Sequence, residues 1–198
     1  MKEAIKNYSQ AIKEDPNNAD AYYFRGNSKF AQEDFKGAIE DFTKCISLNG
    51  ANLHAYYNRA NGYYELEEYS KAITDLSKVL ASDSSYFDAY FDLGNCYYKL
   101  EKFKEAVPFF SKGLALQPEN FNGYYDRANA YFRLEKYNEA LADYSKAISL
   151  NPNESDYYFN RSIAYFNLEM NQEGCNDLNK AMEMGDEDAK EYFGEFCK

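Results

Sequence analysis

One aromatic phrase recurs along this chain at a fixed spacing. The segments AYYFRGNSKF, AYYNRANGYY, AYFDLGNCYY, GYYDRANAYF and YYFNRSIAYF begin 34 residues apart, at positions 21, 55, 89, 123 and 157. A sequence period between about 20 and 50 residues is typical of solenoids, in which each repeat packs only on its neighbours. The chain is therefore predicted to be built from repeated units around a continuous core.

Each repeat is predicted to hold two helices. Tyr56, Ala60 and Tyr63 recur at helical steps, and after a short acidic turn Leu76 and Val79 do the same. The turn is too short for anything but an antiparallel pair. We expect one array over residues 1–198: a half repeat that supplies only a second helix (1–18), five full repeats (19–52, 53–86, 87–120, 121–154 and 155–188), and the start of a C-terminal capping helix (189–198).

The segment from Ala89 to Pro118 resembles the tetratricopeptide repeat. Its signature positions hold Tyr90, Gly94, Tyr97, Ala106, Phe110 and Pro118. The resemblance covers almost the whole chain. It implies an all-α, right-handed superhelical solenoid of antiparallel helix pairs, whose first helices line a concave groove. It also implies a protein-interaction scaffold rather than an enzyme.

The half repeat at the start of the chain has two interpretations. Terminal repeats of solenoids are often atypical because they cap the stack. Alternatively, the sequence is a piece of a longer protein, of which this array would be a regulatory arm.

Charge and composition restrict the partners and the compartment. The net charge of −11 argues against nucleic acid and against an anionic membrane surface, since both require basic patches. Neither a membrane-spanning apolar run nor a signal peptide is visible, which predicts a cytoplasmic protein unless an upstream export signal is missing. Four scattered cysteines without a CxxC pair predict free thiols in a reducing compartment: Cys45, Cys96, Cys175 and Cys197.

No catalytic constellation stands out. His54 is the only histidine, which argues against a histidine relay or a multi-histidine metal site. The chain is therefore predicted to be no enzyme and to need no cofactor or metal. A lysine column on the second helices predicts an exposed, solubilising stripe: Lys44, Lys78, Lys112, Lys146 and Lys180.

Two charged columns change together. Four repeats carry Arg25, Arg59, Arg127 and Arg161 in one column and Asp41, Asp75, Asp143 and Asp177 in another. In the remaining repeat both positions are apolar, as Leu93 and Phe109. This paired change predicts an Arg–Asp contact between the two helices of a repeat or between neighbouring repeats.

A second stripe on the first helices is the candidate binding surface. It repeats an aromatic residue, then Asn, then an aromatic residue at steps of four and three, as in Tyr57, Asn61 and Tyr64. Asn can donate to and accept from a peptide backbone, and aromatic rings offer flat apolar contact. The alternative is that these rings pack between neighbouring first helices and that Asn bonds within the scaffold. The predicted peptide-binding residues are Tyr23, Asn27, Phe30, Tyr57, Asn58, Asn61, Tyr64, Phe91, Asp92, Asn95, Tyr98, Lys99, Tyr125, Asp126, Asn129, Phe132, Arg133, Phe159 and Asn160.

The family's best-defined ligand is not expected here. Chaperone-binding members hold an acidic C-terminal tail with a clamp of Lys, Asn, Asn, Lys and Arg. Asn27 and Asn58 match the two asparagines, but Tyr23, Asp88 and Asp92 stand where cations are needed. The predicted ligand is therefore an extended peptide that is neutral or basic, bound in the groove. The alternative is a homo-oligomeric assembly scaffold.

Overall fold

The computed structural model describes residues 2–197 as an all-α repeat solenoid. Twelve helices and no strands occur in that range. The first unit, which ends at Leu100, holds α1 (Lys2–Glu14), α2 (Ala19–Phe30), α3 (Phe35–Leu48), α4 (Leu53–Glu65), α5 (Tyr69–Ser82) and α6 (Phe87–Lys99). The second, which begins at Glu101, holds α7 (Phe103–Leu116), α8 (Phe121–Arg133), α9 (Tyr137–Leu150), α10 (Ser155–Asn167), α11 (Asn171–Glu183) and α12 (Glu187–Phe196).

Within each unit, every helix packs on the helices before and after it in the chain. In the first unit α2 also contacts α4, which places two first helices side by side. None of the helices in residues 2–197 has the length and apolar character needed to cross a bilayer. The division into a half repeat, five full repeats and a capping helix stays a prediction.

The predicted Arg–Asp contact is confirmed in four repeats. In the second repeat Arg59 Nε and Nη2 donate to the two oxygens of Asp75 at 2.7 and 2.8 Å. Its Nη1 donates to Thr43 Oγ1 of the preceding second helix at 3.1 Å. The same three-way contact, with serine as the third partner, joins Arg25, Arg127 and Arg161 to Asp41, Asp143 and Asp177. One guanidinium therefore links both helices of its repeat to the repeat before it.

A left-handed residue closes each turn between the two helices of a repeat. Glu67 has a φ of +59°, and its amide and that of Glu68 donate to the carbonyls of Tyr64 and Tyr63 at 2.9 and 2.8 Å. This is the Schellman arrangement, which usually employs glycine. Equivalent positive φ values occur at Glu33, Glu101, Glu135 and Glu169. The turn brings the last aromatic ring of α4 against the first ring of α5, with Tyr64 and Tyr69 edge to face at 5.3 Å.

Small residues on the first helices face large ones on the second. Gly26 lies against Phe42, which is completely buried. The same two columns of the second repeat hold Ala60 and Leu76, both buried. A smaller side chain on one helix is therefore matched by a larger one on its partner, which keeps the two axes close.

Replacing Gly26 with alanine should destabilise the protein by about 1–3 kcal/mol, because the added methyl overpacks the core. A Cβ at this position would lie 2.7 Å from Phe42 Cε1. Urea unfolding monitored by circular dichroism measures the loss. Adding Phe42→Leu recreates the pairing of the second repeat and should regain stability relative to Gly26→Ala alone. A double variant that is less stable than the single one would contradict this explanation.

The expectation of four free thiols is wrong for two of the cysteines. Cys175 of α11 and Cys197, which follows α12, form a disulfide with their Cα atoms 5.7 Å apart. The hairpin of α11 and α12 brings these residues together across 22 positions of sequence, a pairing that column positions alone do not reveal. Cys45 and Cys96 are free and buried. The cysteine argument for a reducing, cytoplasmic compartment therefore no longer supports that prediction.

Thiol labelling tests the pairing directly. When the protein is unfolded without reductant and alkylated, two cysteines should be modified, namely Cys45 and Cys96. Prior reduction should raise the number to four, because the Cys175–Cys197 bond opens. Mass spectrometry of the intact chain and of its peptides counts and locates the labels. Four labels on freshly purified, unreduced protein would contradict the disulfide.

Candidate functional site

The first-helix face of the first unit, formed by α2, α4 and α6, joins its helices through polar side chains. Asn58 Nδ2 donates to Asn27 Oδ1 at 2.8 Å and lies 3.3 Å from the Tyr23 hydroxyl. Tyr57 is hydrogen-bonded to Asp92 and to Asn61. Part of the predicted stripe therefore holds neighbouring repeats together, as the scaffold alternative requires.

A pocket of about 240 Å³ opens between α4 and α6. We call it the α4–α6 pocket. Its walls are formed by two rings of the predicted stripe, two asparagines, two acidic residues and three residues of the core: Phe30, Tyr64, Asn61, Asn95, Asp92, Glu65, Ala60, Leu76 and Cys96. A smaller depression of about 110 Å³ lies beside it and shares Phe30 and Asn61. The two concavities are therefore neighbours on the first-helix face, and we call them together the recess.

The rings of the pocket are fixed by the turns below them. Phe30 packs edge to face on Phe35 at 5.1 Å, as Tyr64 does on Tyr69. Edge-to-face pairs at this spacing contribute stability beyond their buried area. Both walls are therefore held in place by their own helical hairpins and offer a preformed apolar surface.

Asp92 is the unusual charge of this face. Tyr57 is hydrogen-bonded to its carboxylate, but its Oδ2 atom is buried without a hydrogen-bond partner. Burial, helped by the nearby negative charge of Asp88, raises the pKa of Asp92 to about 6. Burial also raises the pKa of the Tyr57 hydroxyl, with a further contribution from Asp92. The buried Asp41 and Asp75 of the same unit each form an ion pair with an arginine. Asp92 is hydrogen-bonded to the neutral hydroxyl of Tyr57 instead.

The first-helix face of the second unit, formed by α8 and α10, has its own scaffold bonds. Asn160 Nδ2 donates to the Tyr125 hydroxyl at 2.6 Å, and the Tyr144 hydroxyl donates to Asn129 Oδ1 at 2.6 Å. Asp126 is largely enclosed, and this burial raises its pKa to about 6. The side chain of Asn129 thus bonds to the second helix of its own repeat.

The remaining predicted residues divide by exposure. Phe91 is buried, while Tyr98 is half-buried and Lys99 exposed. Phe132 packs on Tyr137, and Phe159 packs on Tyr192 and lies against the core of α11 and α12. Arg133 lies over the Phe103 ring at 4.6 Å. Most of the predicted rings thus have packing roles, whereas Asn61 and Asn95 line the α4–α6 pocket.

Sequence reasoning missed several members of the pocket. Ala60, Leu76, Cys96 and Glu65 are absent from the predicted binding residues, yet each contributes to its wall. The buried, unpartnered carboxylate oxygen of Asp92 was not predicted either. The same column holds Asn58 in the second repeat and Asp92 in the third, and no basic residue appears in another column together with this new acid. That unmatched acid is the signal that could have found it.

Sequence comparison supports the repeat assignment. A family profile described as tetratricopeptide repeat matches residues 19–52, 87–120 and 121–154, and one described as TPR repeat matches residues 1–32 and 60–101. A search of curated proteins gave no significant match.

Several solved structures share the fold. YrrB, described as a TPR protein with an unusual peptide-binding site, is 22% identical, with 90% of this chain and 92% of that chain covered at a TM-score of 0.78. A MamA structure is 24% identical, with coverages of 83% and 96% and a TM-score of 0.78. MamA from Desulfovibrio magneticus RS-1 is 20% identical, with coverages of 84% and 94% and a TM-score of 0.81. At these identities the likeness shows the fold alone.

Proposed function

The chain belongs to the tetratricopeptide repeat family, a family of protein-interaction scaffolds, and from that premise we propose its specific task. The protein is a non-catalytic scaffold that binds an extended, neutral or basic peptide segment along its first-helix face. The observation that carries the proposal is the α4–α6 pocket, in which asparagine amides, aromatic rings and acidic groups converge.

The chemistry of the recess suits a main chain in extended form. Asn61 and Asn95 lie on successive first helices, and each side-chain amide can both donate to and accept from a peptide group. Phe30 and Tyr64 offer rigid apolar contact for alternate side chains. The net charge of −11 favours a ligand without excess negative charge. The peptide-binding site named for YrrB, a protein of the same fold, adds support by analogy.

Peptide arrays test this proposal. Acetylated and amidated peptides of about ten residues, which reach about 33 Å when extended, are screened for capture of the full chain. The variant Asn61→Ala/Asn95→Ala should weaken binding of captured peptides about tenfold to thirtyfold through lost hydrogen bonds.

Two controls accompany the array. The matched variant Lys44→Ala/Lys78→Ala changes exposed residues of α3 and α5 and should bind as the unaltered chain does. Circular dichroism should show unchanged helicity in both variants. Equal capture by the asparagine variant and the unaltered chain would refute binding on the first-helix face.

Self-association is the second candidate. Tyr192 and Phe196 of α12 stack on each other at 5.7 Å and remain 37% and 49% exposed. Exposed aromatic pairs of this kind are common in protein interfaces. Light scattering at high micromolar concentration separates the two cases: a monomeric mass excludes assembly, and a larger mass that Phe196→Ala reduces to the monomer supports it.

A further inference from the structure

The α4–α6 pocket contains acidic groups that the scaffold leaves without a basic partner. Asp92, which is half-buried, and Glu65, which is exposed, both line it, and none of the nine described residues that line the pocket is basic. The nearest basic residue of α2 in sequence to Phe30, Lys29, is bonded to Asp41 at 2.8 Å. The pocket therefore presents negative charge to whatever enters it.

Asp92 differs from the buried aspartates that stabilise the repeats. Each of those accepts two hydrogen bonds from one guanidinium, so its charge is compensated within the fold. At Asp92 one carboxylate oxygen is buried without any partner, beside a pocket wide enough for a side chain. A cation from a ligand gains more binding free energy at a buried carboxylate without a basic partner than at one that the fold already pairs with an arginine.

The other walls suit the rest of a basic side chain. Phe30 and Tyr64 can pack against the aliphatic stem of lysine or the plane of an arginine guanidinium. The side-chain oxygens of Asn61 and Asn95 can accept hydrogen bonds from its N–H groups. A neutral apolar side chain would leave the acidic wall without a counter-charge.

We propose that the α4–α6 pocket is a specificity site that takes one lysine or arginine side chain of the bound peptide, with Asp92 and Glu65 as its counter-charges. This inference rests on the proposed peptide-binding function and names the side chain that the ligand must carry. The cation fills the pocket while the peptide backbone follows the asparagines.

Peptide libraries of fixed centre test the inference. Acetylated, amidated libraries of about ten residues carry central Lys, Arg, norleucine or Glu between randomised positions. The full chain should retain the Lys and Arg libraries about tenfold more strongly than the norleucine library, and the Glu library least. In Asp92→Asn this preference should disappear. The matched control Asp88→Asn removes an exposed acid of the same helix outside the pocket lining and should keep the preference.

A second variant guards against a folding defect. Glu65→Gln changes an exposed residue of the pocket lining, and it should reduce the preference for the basic libraries in part and leave helicity unchanged. Equal retention of the Lys and norleucine libraries by the unaltered chain, or a preference for norleucine, would overturn the basic-residue site while peptide binding stands. Retention of none of the libraries would overturn the proposed function itself and this inference with it.

Discussion

Replacing Arg59 with leucine should lower the free energy of unfolding around α4 and α5 by about 3–5 kcal/mol, because it leaves a buried charge without its partner. Asp75 is only 4% exposed and receives two of its hydrogen bonds from Arg59. The guanidinium also lies 5.5 Å from the Tyr56 ring centre and 5.9 Å from that of Tyr63, so packing is lost as well.

The double variant Arg59→Leu/Asp75→Phe removes both charges, so it distinguishes the cost of leaving Asp75 without a partner from the cost of losing the Arg59–Asp75 contact. It installs the residues that the third repeat carries at these positions, Leu93 and Phe109. Removing both charges should return stability to within about 1–2 kcal/mol of the unaltered chain. Native-state hydrogen exchange at the amides of α4 and α5 measures both changes, since repeat proteins open locally. Equal destabilisation by the single and double variants would show that the ion pair itself carries the stability.

Replacing Asp92 with asparagine should stabilise the protein at pH 7 by about 1–3 kcal/mol. The upper limit follows from the rise in the pKa of Asp92 from 3.8 to about 6, since a difference of one in pKa is equivalent to about 1.4 kcal/mol. The charged form of this carboxyl is disfavoured by folding, and asparagine removes the charge while it can still accept the Tyr57 hydrogen bond.

The sign of the pH dependence follows from the raised pKa. Asp92 contributes most to stability when it is protonated in both states, below about pH 3.8, and this contribution is lost as the pH rises through about 6. The stability difference between Asp92→Asn and the unaltered chain should therefore be small near pH 4 and reach its maximum near pH 7. Asp126→Asn should behave in the same way in the second unit, because burial raises the pKa of Asp126 to about 6.

Urea unfolding at a series of pH values measures this difference. Asp88→Asn serves as the control on the same helix and should show a smaller effect, because Asp88 is exposed. A destabilised Asp92→Asn at pH 7 would contradict the assignment of Asp92 as an uncompensated charge. A variant that is more stable but has lost its preference for basic peptides would demonstrate a trade-off between stability and binding.

The sequence predicted those features that repeat. Helical spacing and the 34-residue period identify the helix pairs, and the joint change of Arg and Asp to Leu93 and Phe109 identifies a contact between columns. The reason is physical, because the same contact between two helices occurs in each of the five repeats. When one residue of that contact changes from one repeat to another, the residue that it touches changes with it.

Features that occur once, or that depend on backbone conformation, were beyond this reasoning. The disulfide joins Cys175 to Cys197, and neither cysteine recurs in its column. The left-handed backbone of Glu67 was not predicted, although glutamate recurs at this position in every full repeat, because turns of this kind normally employ glycine. The pocket lined by Asp92 depends on the distance between α4 and α6 next to that residue. The spacing of apolar residues along the sequence does not predict this distance.

Binding of a peptide along the first-helix face is tested most directly by chemical-shift mapping. An array-selected peptide is titrated into the isotopically labelled full chain. We expect the largest shifts at Asn61, Tyr64 and Asn95, around the α4–α6 pocket. The exposed Lys44 and Lys78 of α3 and α5 should hardly shift. Shifts concentrated on α3 and α5, with the pocket residues unchanged, would contradict binding on this face.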